Sequence, residues 1–500
     1  ELNRQCNLIA KGLLELGVQK GDKVCIMMDN CPEYLYAWLG ASKMGAVEVS
    51  INTAYKGETL RYIIDNSDAN TILIHSQYLN ALERVLQDLV KLKNIILIPE
   101  PKDQSVDFEK KGYALSCFTL DKLRDRGAKT KLPIPEVKPH DLAMLGYTSG
   151  TTGESKGVMI PHHRLVCTAY DIAGIRHVDK HEILYTCLPL FHGNAKILTA
   201  LTALIGDGQL ALGKRFSASK FWDEIRQYQA TQFNYLGAMT AILFKRPEEE
   251  NDNKQPAKIG FGAGCPVNIH EAFEKRFGLI LQEGYGLTEA GVPLGTIPSK
   301  RKIGSCGQAL FQYDVKIVDE NDNEVPIGAT GELVILPKRP YSVMMGYYKR
   351  PEETLKAFRN LMVHTGDLAY RDEEGYFYFA DRKKDAIRRR GENISSQEVE
   401  AVIDKNDNVL ESVVFPVPAE VSEDEVMAIV VLKGGHQLST EGFFKYCSEN
   451  MPYFWVPRYV EIWSEPLPKT PTGKIEKYRM KERGVTEKTV DREKLDSVKG

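Results

Sequence analysis

The sequence predicts an α/β fold: a large N-terminal domain of helix-flanked sheets plus a small β unit, followed by a small α+β C-terminal domain. Three observations carry this expectation. Helical and strand patterns alternate through the first half, as parallel sheets flanked by helices require. After about residue 300 the pattern shifts to short strands joined by polar turns. The last stretch reads helix, two strands, helix.

In chain order, Lys23–Met28, Thr71–Ile74 and Asn94–Ile98 are apolar runs of strand length, with helical patterns at Glu33–Met44 and Glu58–Asp65. Leu132-Pro133-Ile134-Pro135 is a surface connection. Leu142–Tyr147 is another apolar run that suits a buried strand. Val315–Asp319, Gly331–Ile335 and Gly375–Phe379 read as the strands of the β unit. In the last part, Gln397–Ile403 and Glu441–Asn450 read as helices, and Ser412–Pro416 and Met427–Leu432 as paired strands. The boundary before this last domain falls near Lys384, giving domains 1–383 and 384–500.

The chain has 500 residues, a length that suits several units at roughly 150 residues each. A net charge of −3 gives no bulk attraction to nucleic acid or to an anionic membrane. The most apolar stretch, Ile197 to Leu212, is broken by Gly206-Asp207-Gly208, so no transmembrane segment is expected. Nine cysteines, widely spaced and without a Cys-x-x-Cys pair, argue against a disulfide framework or a zinc site. Reduced thiols fit a reducing, cytoplasmic location. The sequence opens at Glu1, already inside an amphipathic pattern, so the true N-terminus is expected to be missing and nothing follows about a targeting peptide.

The most informative segment is Tyr147-Thr148-Ser149-Gly150-Thr151-Thr152-Gly153-Glu154-Ser155-Lys156-Gly157. Glycines let several N–H groups point at one anion, hydroxyls add donors, and a lysine adds charge. Behind a strand, this is a polyphosphate cradle. It is not a Walker A loop, because the order is Ser155-Lys156-Gly157.

Four motifs follow: Pro189-Leu190-Phe191-His192, Gly284-Tyr285-Gly286-Leu287-Thr288-Glu289, Thr365-Gly366-Asp367 and Thr470-Pro471-Thr472-Gly473-Lys474. With the loop, they resemble the adenylate-forming superfamily of acyl-CoA ligases, amino-acid adenylation domains and beetle luciferases. The resemblance covers essentially the whole chain and implies that the C-terminal domain is a mobile lid. It implies ATP, Mg²⁺ and coenzyme A as reactants: a carboxylate attacks the α-phosphate, pyrophosphate leaves, and a thiol then takes the acyl group.

Chemistry and resemblance together assign the residues. Thr148, Ser149, Gly150, Thr151, Thr152 and Lys156 suit the β- and γ-phosphates. Glu289 is a hard oxygen ligand for Mg²⁺, and Thr288 can donate to the α-phosphate. Asp367 can accept two ribose hydroxyls. By resemblance, Tyr285 with the adjoining Gly286 lies on adenine, and Gly264-Cys265-Pro266 lies on its other face. The resemblance also implies that Lys474 bridges acyl carboxylate and α-phosphate and that His192 gates the acyl pocket. Arg382 matches the arginine of a Gly-Arg-x-Lys-like motif, which makes Lys384 the hinge and sets Gly391 beside the CoA channel. The run Arg388-Arg389-Arg390 is ordinarily a solvated face and could offer charge to the CoA 3′-phosphate. Against the family pattern, Ser155 replaces a proline, Asp381 a glycine, and Arg390 a second glycine of the channel.

No aspartate follows Phe191-His192-Gly193-Asn194-Ala195 to hold an ammonium, which favours a simple acid over an amino acid. Segments such as Tyr370–Glu374, Tyr376–Lys383 and Val456–Ile462 look like the crotonobetaine/carnitine–CoA ligase branch. Short- or medium-chain acids remain open. A trimethylammonium head would want an aromatic cage or a carboxylate, for which Phe191, Phe233, Tyr235 and Phe261 are available. Two rivals remain: transfer of the acyl group to a carrier-protein pantetheine, and a non-catalytic nucleotide-binding module.

Overall fold

The computed structural model describes residues 1–99, 115–148, 155–382, 387–389, 392–394, 396–418, 424–451, 455–469 and 475–497. The chain clusters into two compact units. Of the described residues, those up to Val315 together with Ile335–His364 build one, and Lys316–Val334 with those from Thr365 onward build the other.

The first unit holds two seven-stranded sheets. The strands of the first are β1 (Lys23–Met27), β2 (Val47–Ser50), β3 (Ala69–His75), β4 (Asn94–Ile98), β5 (Ser116–Thr119), β6 (Leu142–Thr148) and β7 (Lys156–Pro161). Their order is β5-β4-β3-β1-β2-β6-β7, parallel except for β7, which returns antiparallel beside β6. Every residue of β4 is buried, which is why it reads as an unbroken apolar run rather than an alternating one. Helices Leu2–Glu15 and Leu120–Lys129 pack so closely that a Cβ on Gly127 would sit 1.9 Å from the Leu8 carbonyl oxygen.

The second sheet comprises β8 (Ile183–Thr186), β9 (Gln209–Leu212), β10 (Gln232–Asn234), β11 (Ile259–Gly262), β12 (Ile280–Leu287), β13 (Gly291–Gly295) and β14 (Gln308–Ala309). Its order is β14-β13-β12-β11-β10-β8-β9, parallel from β9 to β12 and antiparallel thereafter. The helix before β12, Val267–Phe277, ends on Gly278 with φ +63°, the left-handed stop that glycine supplies without strain.

A four-stranded sheet follows, in the order β15 (Tyr313–Val318), β16 (Gly331–Pro337), β17 (Val363–Arg371) and β18 (Phe377–Arg382). Expected from Gly375, β18 starts two residues later. Gly375 has φ +81° and closes a turn in which the Asp372 carboxylate accepts from the N–H groups of Glu374 and Tyr376.

In the second unit β19 (Ile387–Arg389) and β20 (Glu392–Ile394) form a hairpin. The last sheet runs β21 (Val409–Pro418), β22 (Asp424–Leu432), β23 (Tyr459–Trp463), β24 (Val490–Asp491). β21 and β22 pair antiparallel, as expected, and helices Ser396–Ile403 and Thr440–Asn450 contribute Val399, Ile403, Phe443 and Cys447 to its core. Ser439 caps the second helix by accepting from the Gly442 N–H at 3.1 Å.

The apolar stretch after His192 divides into a π-helix, Lys196–Leu201, a short helix, Thr202–Ile205, and β9. Among the described residues no helix is long and apolar enough to cross a membrane.

Candidate functional site

The phosphate-loop candidates open from a hairpin. Thr148, the last residue of β6, is the cross-strand partner of Lys156, the first of β7. The Tyr62 hydroxyl donates to the Ser155 carbonyl at 3.0 Å, and the Tyr147 hydroxyl to Asn66 Oδ1 at 2.7 Å. Ser149, Gly150, Thr151 and Thr152 lie outside the described residues.

A strap, residues 344–348, runs along β7. Met345 N–H bonds the Met159 carbonyl, Tyr348 N–H bonds the Gly157 carbonyl, and Tyr347 bridges Val158. The strap brings two candidates together. The Tyr347 hydroxyl donates to Glu289 Oε1 at 2.9 Å, and the Lys156 ammonium lies 5.0 Å from the centroid of the same ring. Met344 N–H donates to the Glu289 carbonyl at 2.7 Å. Thr288 faces β6: a Cβ on Gly146 would come within 3.0 Å of Thr288 Cγ2. Thr148, Lys156, Thr288 and Glu289 are therefore gathered at one end of the first sheet. Burial and the Glu289 carboxylate hold the Tyr347 phenol above its ordinary range, so it remains a donor. Beneath the turn Arg164 is buried, with Nη2 3.5 Å from the Leu287 carbonyl. Tyr347 and Arg164 carry no motif and are additions of the structure.

Among the described residues no three His, Cys, Asp or Glu side chains cluster as a metal cage. The half-buried Glu289 offers one carboxylate, with Oε1 already taking the Tyr347 hydroxyl. That donor set fits Mg²⁺, which is bound through one or two carboxylates while substrate phosphates and waters fill its remaining positions.

The adenine candidates hang from β12. Glu283 is buried two residues before Tyr285, and its Oε1 accepts from the Cys265 N–H at 2.7 Å and the Tyr235 hydroxyl at 3.3 Å. Glu283 thus ties the Gly264-Cys265-Pro266 segment to the strand that carries Tyr285. Burial raises its carboxyl above the usual range. Gly264 has φ +76°, and a Cβ on Gly237 would fall 1.8 Å from the Gly264 carbonyl oxygen, so this crossing admits no side chain at Gly237. Gly286 is exposed beyond Tyr285.

His192 is exposed and caps the turn that follows it, its Nδ1 accepting from the Asn194 N–H at 3.3 Å. The preceding segment is held by Asn30. Its amide donates to the carbonyls of Leu188 and Gly213 and accepts from the Leu190 N–H at 2.8 Å.

In the second unit Asp367 is buried on β17, opposite Arg382 of β18. Gly366, with φ +69°, donates its N–H to Glu332 Oε1 at 3.1 Å, and Thr365 Oγ1 donates to the Leu333 carbonyl at 2.7 Å. Lys384, Arg390, Gly391 and Lys474 lie outside the described residues. A bridge between Lys469 and Ile475 brackets the segment containing Lys474. Three residues beyond it, Lys477 meets Glu400 at 2.8 Å and Ser396 Oγ at 2.6 Å. The arginine run needs a correction. Arg389 is not on a solvated face: it is buried, paired with Glu425 at 2.7 Å and bonded to the Val456 carbonyl at 2.9 Å.

Two family models match in sequence order. That for AMP-binding enzymes covers residues 1–348, and that for the AMP-binding enzyme C-terminal domain covers residues 398–474. The chain belongs to the AMP-binding enzyme family. It is 33% identical to the crotonobetaine/carnitine–CoA ligase of Escherichia coli O7:K1 (strain IAI39 / ExPEC), over 96% of this chain and 92% of that one. It is 34% identical to the enzyme of that name from Salmonella heidelberg (strain SL476), over the same shares. In fold it matches ATP-bound MatB from Rhodopseudomonas palustris with a TM-score of 0.84, at 24% identity over 97% of this chain and 92% of that one. The anthranilate CoA ligase AuaEII in complex with anthranoyl-AMP matches with a TM-score of 0.83, at 23% identity over 97% and 91%.

Proposed function

We propose that this chain activates a simple carboxylic acid, of short or medium chain or of the betaine type its relatives' names specify, and passes it to CoA. The enzyme is an AMP-forming acid–thiol ligase. The acid's carboxylate oxygen attacks the α-phosphorus of ATP, the bond to the bridging oxygen breaks, and pyrophosphate leaves with those electrons. The CoA thiolate then attacks the acyl carbon and AMP leaves. The observation that carries this reading is Tyr347, which joins Lys156 and Glu289 at the mouth of the β6–β7 hairpin.

Lys156 and the loop from Thr148 to Thr152 take the β- and γ-phosphates, and Thr288 donates to the α-phosphate. These fixed donors meet charge that grows in the transition state. Mg²⁺ held by Glu289 neutralises phosphate charge when bound. Tyr285, Gly286 and the 264–266 segment receive adenine, while Asp367, with Arg382 opposite, receives the ribose. Residues 384–500 form a lid that turns about Lys384. One pose delivers Lys474 to the carboxylate and α-phosphate; the other opens a path for CoA past Gly391 and Arg390. His192 gates the acyl side. None of the nine cysteines is joined in a disulfide, which supports a cytoplasmic location.

The test is a panel of carboxylic acids scored by pyrophosphate release with MgATP, with CoA present or replaced by a carrier protein. Acid-dependent release with thioester formed only on CoA is expected. Acid-independent ATP binding without release overturns the reading.

A further inference from the structure

Beside His192 runs a relay of three side chains. Arg176, the residue that closes helix His162–Ile175, is 0% exposed. Its Nε donates to Gln232 Oε1 at 2.9 Å, and its Nη1 to the Leu198 carbonyl at 2.9 Å and to Asn234 Oδ1 at 2.8 Å. Asn234, fully buried at the end of β10, donates from Nδ2 to Asn194 Oδ1 at 2.7 Å. Asn194 is half-buried, two residues after His192, and its N–H is bonded to that imidazole.

The relay has a forced direction. A guanidinium offers donors only. Asn234 must therefore turn its oxygen to Arg176 and its nitrogen to Asn194, and Asn194 must answer with its oxygen. The end of Asn194 left over is its NH₂ group. The polarity of a buried cation is thus carried to the residue beside the gate.

Nothing in the relay suits a second cation. Its three members include no carboxylate. Glu182, the acid felt by Arg176, has Oε2 already accepting from Gln232 Nε2 at 2.9 Å and from Thr231 Oγ1 at 2.5 Å. Of the four rings that could cage a cation, Phe191 is half-buried against the core and the other three have partners. Phe261 lies 5.3 Å from the Arg176 guanidinium, Phe233 is boxed edge-on by Phe221 and Trp222, and the Tyr235 hydroxyl is bonded at Glu283.

We infer that Asn194, oriented by Arg176 through Asn234, determines acyl specificity: it admits uncharged acyl chains, favouring one with a hydroxyl or carbonyl oxygen to accept from its NH₂ group, and excludes acids with a quaternary ammonium head. This rests on the ligase reading with His192 at the acyl gate, and it separates this chain from the substrate in its relatives' names.

The experiment compares kcat/KM for three acids of matched length on the full chain with MgATP and CoA: γ-trimethylammonium butyrate, its tert-butyl isostere, and the corresponding methyl ketone. The ketone and the isostere are expected to exceed the ammonium acid by at least about tenfold, since a donor wall leaves a buried cation unpaired. Asn194→Asp puts a carboxylate in place of the amide and is expected to raise the ammonium-to-isostere ratio by about tenfold or more. A general packing defect would lower all three acids alike. Equal or better use of the ammonium acid by the unaltered chain overturns the inference without any variant, and an unchanged ratio in Asn194→Asp overturns it too. No pyrophosphate release with these or any other acid would instead remove the ligase reading itself.

Discussion

The phenol of Tyr347 points at Glu289 from 2.9 Å while its ring lies 5.0 Å from the Lys156 ammonium. One side chain thereby sets the spacing between the cation and the carboxylate that the proposed chemistry places on either side of a triphosphate.

Tyr347→Phe keeps the ring and removes the donor. A hydrogen bond to a charged group contributes about 1.5–3 kcal/mol, so the KM for MgATP should rise by about tenfold or more. Steady-state kinetics at fixed acid, with free Mg²⁺ varied, reads this. An unchanged KM would show that Glu289 needs no orienting partner.

Lys474→Ala should abolish acyl-adenylate formation and leave thioester formation from preformed acyl-adenylate largely intact, because the proposed mechanism uses the ammonium only where the carboxylate meets the α-phosphate. Rapid-quench measurement of each half-reaction separates the two steps. Equal losses in both would contradict a lid lysine specific to the first.

Lys196 is fully buried and bonded to Glu48 and Ser50, with the rings of Tyr34 and Trp38 5.1 and 5.3 Å from its ammonium. Burial pulls its pKa down while Glu48 opposes the shift. Lys196→Met strands the Glu48 charge and should cost about 3–5 kcal/mol in urea unfolding. Adding Glu48→Gln keeps an acceptor for Tyr34 and Ser50 and should recover more than half of that loss. No recovery would mean that the pair acts through shape rather than charge.

Glu400 is pushed up to about 7, chiefly by burial, with Lys477 and the Val414 N–H working against the shift. Between its ordinary value of 4.5 and 7 the folded protein holds this proton more tightly than the unfolded chain does. Its contribution is therefore fully present below 4.5 and lost as pH rises through 7. Relative to Glu400→Gln, the unaltered protein should lose thermal stability as the pH is raised across that window, by on the order of 1 kcal/mol or more. A constant difference in Tm across the window would place Glu400 in contact with water.

The strands that alternate with helices were legible because buried parallel strands such as Asn94–Ile98 are apolar on both faces. The loop, the Thr-Glu pair and the Thr-Gly-Asp turn stand out as candidates because their residues are adjacent in sequence. What escaped is long-range. Tyr347 lies 58 residues from Glu289, and Asn30 lies 160 from Leu190; no local pattern records either pairing. Glu283 sits inside the buried stretch Leu281–Tyr285 of β12, where a lone acid gives no periodic signal. The burial of Arg389 was not legible, because three adjacent arginines look solvated and its partner Glu425 lies on a distant strand.

Thr148 and Lys156 are rungs of the same ladder, and Ser155 is moored by Tyr62. Whatever the intervening segment does, its two feet cannot walk apart. The lysine's backbone is bolted in place, so in the proposed reaction only its four-carbon stem would be left to follow a shifting phosphate. Transplanting this loop into another scaffold would have to carry both strands and the mooring tyrosine with it.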